Sequence, residues 1–359
     1  MSRKRMTAHV ESKPFWKCEE RTSGTDGTDV VTYILDCIGI LLNALILVLI
    51  FKKHCGPRVS LVLIRGMITC YLLTSAVNFL DHIYPYRLQT QNYHFNRLLC
   101  LFWDSRFFYW IFNVMGGLFL AIFAVDRLFC LAQLDLYRVT VPEYRLTSYV
   151  IFAVVASLLF SLPLLLSVNL NNDQCDCAPI QINIPFLSVI FAHVYLWFAL
   201  LLVFQGGLLV FISVQLISWK LKRISTHLSW RTADDLNSLT LKQPADATIS
   251  LRGRARTLDG DRTCDDKRRN WNSASFCILP LTLSYVLTSV YDSTYQFLSA
   301  VGLTTYIINS VEQRLGEMLI VVHFTAVPLI ICLYIPSLRV YLWLRLKSAF
   351  KKKAGSTVP

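Results

Sequence analysis

Seven long apolar runs, at about 30–51, 59–84, 101–125, 146–168, 184–219, 273–298 and 315–335, leave this chain few folds to choose from. Each is long enough to cross a hydrocarbon core, which needs about 20 helical residues. In lipid every backbone N–H and C=O has to be satisfied within the protein, so runs of this length read as helices rather than barrel strands. An odd number of crossings puts the two ends of the chain on opposite sides of the membrane. The expected architecture is an all-α membrane protein, a seven-transmembrane helix bundle over 30–335. A polar tail, 1–29, precedes it, and a short amphipathic eighth helix with a basic tail, 336–359, follows.

Composition agrees: 54% of the 359 residues are apolar and only 16% are charged, as in a polytopic helical protein and unlike a soluble domain. A net charge of +12 raises nucleic acid as a partner, but the distribution of bases argues against it. Lys52, Lys53 and Arg58 sit in the first loop; Arg127, Arg138 and Arg145 follow the third span. Segment 220–270 and the tail beyond Arg339 hold most of the rest, whereas the alternate loops are poor in base. The positive-inside rule then makes the basic loops cytoplasmic, with the N-terminus outside and the C-terminus inside. Bases in the N-terminal tail dissent, and the loops outweigh them. That tail begins Ser2-Arg3-Lys4-Arg5 with no apolar core behind it, so the first span is expected to act as its own insertion signal.

Topology sorts the cysteines. Cys18, Cys100, Cys175 and Cys177 fall outside, where disulfides form, and the others fall in spans or on the reducing side. Cys175 and Cys177 are too close in sequence to pair comfortably with each other. Cys100 is expected to join Cys177 or Cys175, with Cys18 taking the other or staying free. Segment 220–270 mixes Ser, Thr, Asp, Arg and Lys with few aromatics and reads as a disordered cytoplasmic loop. Beyond Pro336, apolar Val340, Tyr341, Leu342, Trp343 and Leu344 alternate with Arg339, Arg345 and Lys347. Such a helix should lie on the inner membrane surface, its bases drawn to anionic lipid.

Charged residues at a membrane helix end are costly unless paired or solvated, so Asp126-Arg127 at the inner end of the third span invites a role. Asp126-Arg127-Leu128, with Tyr137-Arg138 ten residues on, resembles the Asp-Arg-Tyr box of rhodopsin-like (class A) G-protein-coupled receptors. Other landmarks agree in order: Asn43 in the first span, Cys100 heading the third and Pro163 late in the fourth. Cys277-Ile-Leu-Pro280 resembles the family's Cys-Trp-x-Pro, and Val327-Pro328-Leu-Ile-Ile331 its Asn-Pro-x-x-Tyr. The resemblance covers residues from about 30 to 350. It implies a two-state bundle in the plasma membrane that binds an extracellular ligand and activates a heterotrimeric G protein. In it Asp126, Arg127, Tyr137, Pro280 and Pro328 form the coupling switch, with kinks at the two prolines relaying the change.

The departures from the family pattern carry information too. Cys100 lies about two residues farther from Arg127 than the pattern has it, and the fifth span offers Gly206-Gly207 in place of a central proline. Tyr71 stands where the family buries an Asp, so no sodium-binding carboxylate is expected. Tyr109 replaces the amine receptors' Asp and Val321 the retinal Lys. The resemblance points instead to Asp81, Tyr109, Trp110, Tyr285 and Glu317 as a ligand site suited to a peptide or cationic molecule. Carboxylates would meet charge and aromatic faces would give cation–π contact. The plainer alternative has Asp81 and Glu317 facing interfacial water or pairing with Arg87, Arg106 or Arg314. No Walker loop, zinc spacing or hydrolase elbow is present, so neither an enzyme nor a cofactor or metal site is expected. A small-solute transporter or channel subunit is the rival class; it calls for an internal repeat or a file of polar side chains.

Overall fold

The computed structural model describes residues 16–18, 27–52, 57–83, 90–132, 141–166, 168–171, 174–177, 198–222, 274–308, 310–335 and 338–344. Among them are seven helical spans long and apolar enough to cross a membrane. These are Gly27–Lys52, Arg58–Ile83, Tyr93–Leu131, Pro142–Leu165, Leu202–Lys222, Ser275–Ser299 and Val311–Tyr334. The chain is thus an all-α, multi-pass membrane protein. Most of segments 1–29 and 220–270, together with Tyr137 and everything past residue 344, lies outside the described residues.

The first span shows how these helices choose their faces. Asp36, Gly39, Asn43, Ile46 and Ile50 are buried, while Ile34, Leu41, Leu45 and Val48 are exposed. The polar and small residues Asp36, Gly39 and Asn43 turn inward, and the exposed face from Ile34 to Val48 is wholly apolar, the reverse of a soluble helix. Lipid tails are as apolar as leucine, so the bundle is held by close packing and internal hydrogen bonds.

Prolines and local breaks then shape individual spans. Pro142 opens the fourth helix at a position where its missing N–H costs nothing. Pro163 has no N–H for the turn before it, and the α-helix gives way to a 3-10 turn over Leu162–Leu166. The fifth span starts in a π-helix, Phe198–Gly206, which supplies a bulge where no proline does. Pro328 lies inside the seventh helix and leaves the Phe324 carbonyl without its usual donor. The amide of Asn43 reaches across from the first span and donates to that carbonyl at 3.1 Å.

The third span is in two pieces. Helix Tyr93–Leu99 runs into a π-turn, Cys100–Asp104, and a second helix starts at Phe107. Between them Arg106 takes a left-handed backbone, φ 56°, which is unfavourable for any residue with a Cβ. The π-turn and this break absorb the surplus residues between Cys100 and Arg127. Cys100 is thereby brought to Cys175, with the two Cα atoms 5.4 Å apart, and they form the disulfide. Cys175 is therefore the partner of Cys100; the side chains of Cys177 and Cys18 lie outside the described residues.

The end of the bundle that carries this bridge is called outer below. Strand Gln174–Cys177 pairs antiparallel with Val168–Asn171 there, and Trp16–Cys18 pairs in parallel with Tyr306–Ile308. At the other end the chain leaves the seventh span and turns into the eighth helix, described over 338–344. Leu338 is buried and Tyr341 and Leu342 pack on the core, while Val340, Trp343 and Leu344 are exposed.

Candidate functional site

Polar side chains gather at three depths of the bundle. At the inner end, Asp126 and Arg127 are both buried and pair at 3.0 Å. Adjacent residues on a helix point in different directions, and the length of the Arg127 side chain closes the gap. Asp126 also has Arg145 of the fourth span at 3.5 Å, and Ser60 of the second span donates to it at 3.5 Å. One carboxylate therefore stands between two guanidinium groups. Arg127 Nε is buried with no hydrogen-bond partner.

The sixth span reaches this pair as well. The charge of Arg127 acts on Cys277, which places this part of the sixth span at the inner end. Pro280 is the third residue of helix Ile278–Ala300, directly after a 3-10 turn over Ser275–Cys277. Pro280, three residues beyond Cys277, therefore lies close to the inner pair. Burial decides the register, since Cys277, Ile278 and Leu281 are almost fully enclosed at this level.

At mid-depth Tyr71 fills the place where the resemblance looked for an Asp. It is fully buried, stacks on Phe324 with ring centroids 4.9 Å apart, and packs its ring over Gly116, where a Cβ would collide with it. Its hydroxyl lies 3.2 Å from His323 Nε2, and His323 Nδ1 lies 2.9 Å from Ser284 Oγ. This chain of neutral groups joins the second, seventh and sixth spans and offers no carboxylate to a cation. Tyr285 belongs to the same level: its ring centroid is 5.7 Å from that of His323. Gln205 is buried beside Gly117 on the opposite flank, and neither of its side-chain polar atoms has a hydrogen-bond partner.

The outer site is built around Arg106. Its left-handed backbone turns the guanidinium into the bundle, where it pairs with Glu317 of the seventh span and donates to Asn78 Oδ1 of the second. The same group lies 4.7 Å over the Tyr109 ring, and the charge of Asp81 acts on it. Asp81, Tyr109 and Glu317 are thus brought together, with Trp110 edge-on to Tyr109 at 5.2 Å, while Tyr285 sits deeper and apart. Glu317 also accepts from Gln313 at 3.0 Å. Of the pairings left open by sequence, Glu317 with Arg106 is realised, Arg314 pairs with Asp29 at 2.9 Å, and Arg87 lies outside the described residues.

Two further acids belong here that sequence reading passed over. Asp36 accepts from Asn78 at 2.6 Å, and Asp292 accepts from Gln296 at 2.8 Å. The charges of Glu317 and Arg106 act on both. The signal was present, because an ionisable residue inside an apolar run is rare unless it has a function. The single grouping of metal-capable side chains among the described residues, Cys100, Asp104 and Cys175, contains the disulfide and is not a metal site.

No family model matches the sequence, and no curated protein matches it. The structure is similar to the crystal structure of squid rhodopsin, with a TM-score of 0.59 and 14% identity. The likeness covers 97% of this chain and 96% of that one. At that identity it establishes the fold: this chain has the seven-helix rhodopsin fold that its motifs resemble.

Proposed function

We propose that this rhodopsin-fold protein is a G-protein-coupled receptor of the plasma membrane, with its N-terminus extracellular and its C-terminus in the cytosol. The observation that carries the reading is the buried Asp126–Arg127 pair at the inner end, closed by the start of the sixth span. A pair of this kind, enclosed at the face with the most basic loops, is a switch held off. Outward movement of the sixth span would uncover Arg127 and let its guanidinium meet a helix of the G protein, whose affinity for the open state is the coupling. Arg145 stays beside Asp126 when Arg127 leaves, so the carboxylate is not stranded. The kink at Pro328, held by Asn43, and the Tyr71–His323–Ser284 chain link the two ends. Pro280, at the inner hinge, and Tyr137 join them in the coupling role.

The ligand is a peptide or a cationic small molecule entering from the outer end, where Asp81, Tyr109, Trp110 and Glu317 meet. Tyr285 would serve as the floor beneath it. Such a ligand competes with Arg106 for Glu317, so binding exchanges an internal cation for an external one. Basic inner loops and the eighth helix suit an acidic partner face and anionic lipid. Replacing Arg127 by Gln tests the reading: second-messenger output should fall to background while an N-terminal epitope stays accessible on intact cells. Undiminished output from a surface-expressed variant would refute it.

A further inference from the structure

The outer site holds more negative charge than a ligand pocket with one paired acid requires. Asp36, Asp292 and Glu317 are 0%, 2% and 6% exposed, and the half-buried Arg106 is the cation among them. Only Glu317 pairs with it directly. Asp36 and Asp292 each accept a hydrogen bond from a side-chain amide at Oδ2, and the second oxygen of each, Oδ1, is buried with no partner. The Tyr109 hydroxyl, also buried and without a partner, lies in the field of all three acids and of Arg106. Asp292 backs onto Gly316, where an added Cβ would come within 3.1 Å of it, so the missing side chain is what admits this acid beside Glu317.

Among the described residues, none of the groups that act on Asp36 and Asp292 is a second cation. Facing Asp36 are Asn78 and the charges of Arg106 and Glu317. Asp292 faces Gln296, Glu317 and Arg106, with Tyr291 and, beyond it, Glu312 at the rim. The charge of Asp81 also acts on Arg106, and His82 is turned to the Asn78 carbonyl at 2.8 Å. With every acid ionised, the three buried carboxylates and one guanidinium leave an excess of two negative charges in a low-dielectric interior. Burial penalises that state strongly. A carboxylate that takes a proton loses its charge and turns a bare acceptor into a donor. Groups this enclosed admit a proton more readily than an ammonium group or a hydrated metal ion.

We propose that Asp36 and Asp292 form a proton-binding site, filled or emptied by the pH at the outer face. Acid favours the packing described here, in which both acids are enclosed; loss of the protons gives carboxylates that gain by hydration and favour a loosened outer end. The Asp126–Arg127 pair is closed in this same packing. If the receptor reading holds, on which only this consequence rests, outer acid keeps coupling low and alkali raises it.

The test uses the full-length protein in lipid nanodiscs, followed by thermal unfolding between about pH 5.5 and 8. A group that holds its proton more tightly when folded contributes stability that is lost as pH rises. The wild-type midpoint should therefore fall by several degrees across that window. Asp36→Asn/Asp292→Asn, which keeps the buried shape without the charge, should remove most of the fall, and each single variant part of it. A wild-type midpoint that is flat or rises with pH overturns the proposal without any variant. A double variant with an undiminished slope overturns it too. Basal second-messenger output against extracellular pH is the separate arm. A proton-dependent midpoint with pH-independent output would keep the site and sink its link to coupling, while the Arg127→Gln test decides the receptor reading separately.

Discussion

The two ends of the bundle handle buried charge in opposite ways. At the inner end one acid, Asp126, lies between two bases, Arg127 and Arg145; at the outer end one base, Arg106, lies among Asp36, Asp292 and Glu317. An inner site with a base in excess can release one arginine to a partner and still satisfy its carboxylate. An outer site with acids in excess holds its arginine and accepts something positive from outside. Opposite imbalances at opposite ends would let each end be completed by a different visitor, as the proposed receptor role requires. Between them lies a neutral zone, Tyr71, His323 and Ser284, which separates the two fields.

Removing the outer cation is the most severe way to break this contrast. Arg106→Ala leaves Glu317 enclosed without its partner, and stranding one member of a buried pair costs about 3–5 kcal/mol. Surface expression should drop steeply, and thermal unfolding of whatever is made should shift down by many degrees. A variant as stable as wild type would mean that the outer acids are not charged as described. The neutral zone is probed by Gly116→Ala, whose methyl group meets the Tyr71 ring. Overpacking of this kind costs about 1–3 kcal/mol, measurable as a lower unfolding midpoint. Tyr71→Phe, which keeps the ring and loses the hydroxyl, should be milder. Asn43→Ala is the smallest change. It strips the Phe324 carbonyl of its donor, at about 1–2 kcal/mol for an unsatisfied buried acceptor. A larger loss of signalling than of stability there would tie the Pro328 kink to the relay.

Much of the inner end was legible from the chain alone. Asp126-Arg127 is a local pattern at a helix terminus, and a helix puts such neighbours at one level whatever surrounds them. The outer end was only partly legible. Asp81, Tyr109 and Glu317 are close as expected, but what joins them is Arg106, whose inward turn depends on a left-handed backbone that no periodicity forecasts. The pairing of Cys100 with Cys175 rather than Cys177 depends on the same break. Pro280 makes a related point: a four-residue motif fixes order along the chain, while depth in the bundle is fixed by which side chains of the sixth span are buried.

What the sequence determined by itself is the number of spans, their helical form, the basic loops and the pair at the inner end. Each follows from forces acting within about one span: apolar length, backbone hydrogen bonding in lipid and local charge. Only the tertiary structure decided where Asp36, Asp292 and Arg106 meet, how Tyr71 fills the core, and at what depth Pro280 lies. Those outcomes join residues from different spans, and in a medium as apolar as the helices themselves, packing and pairing across spans set the register that hydropathy leaves free.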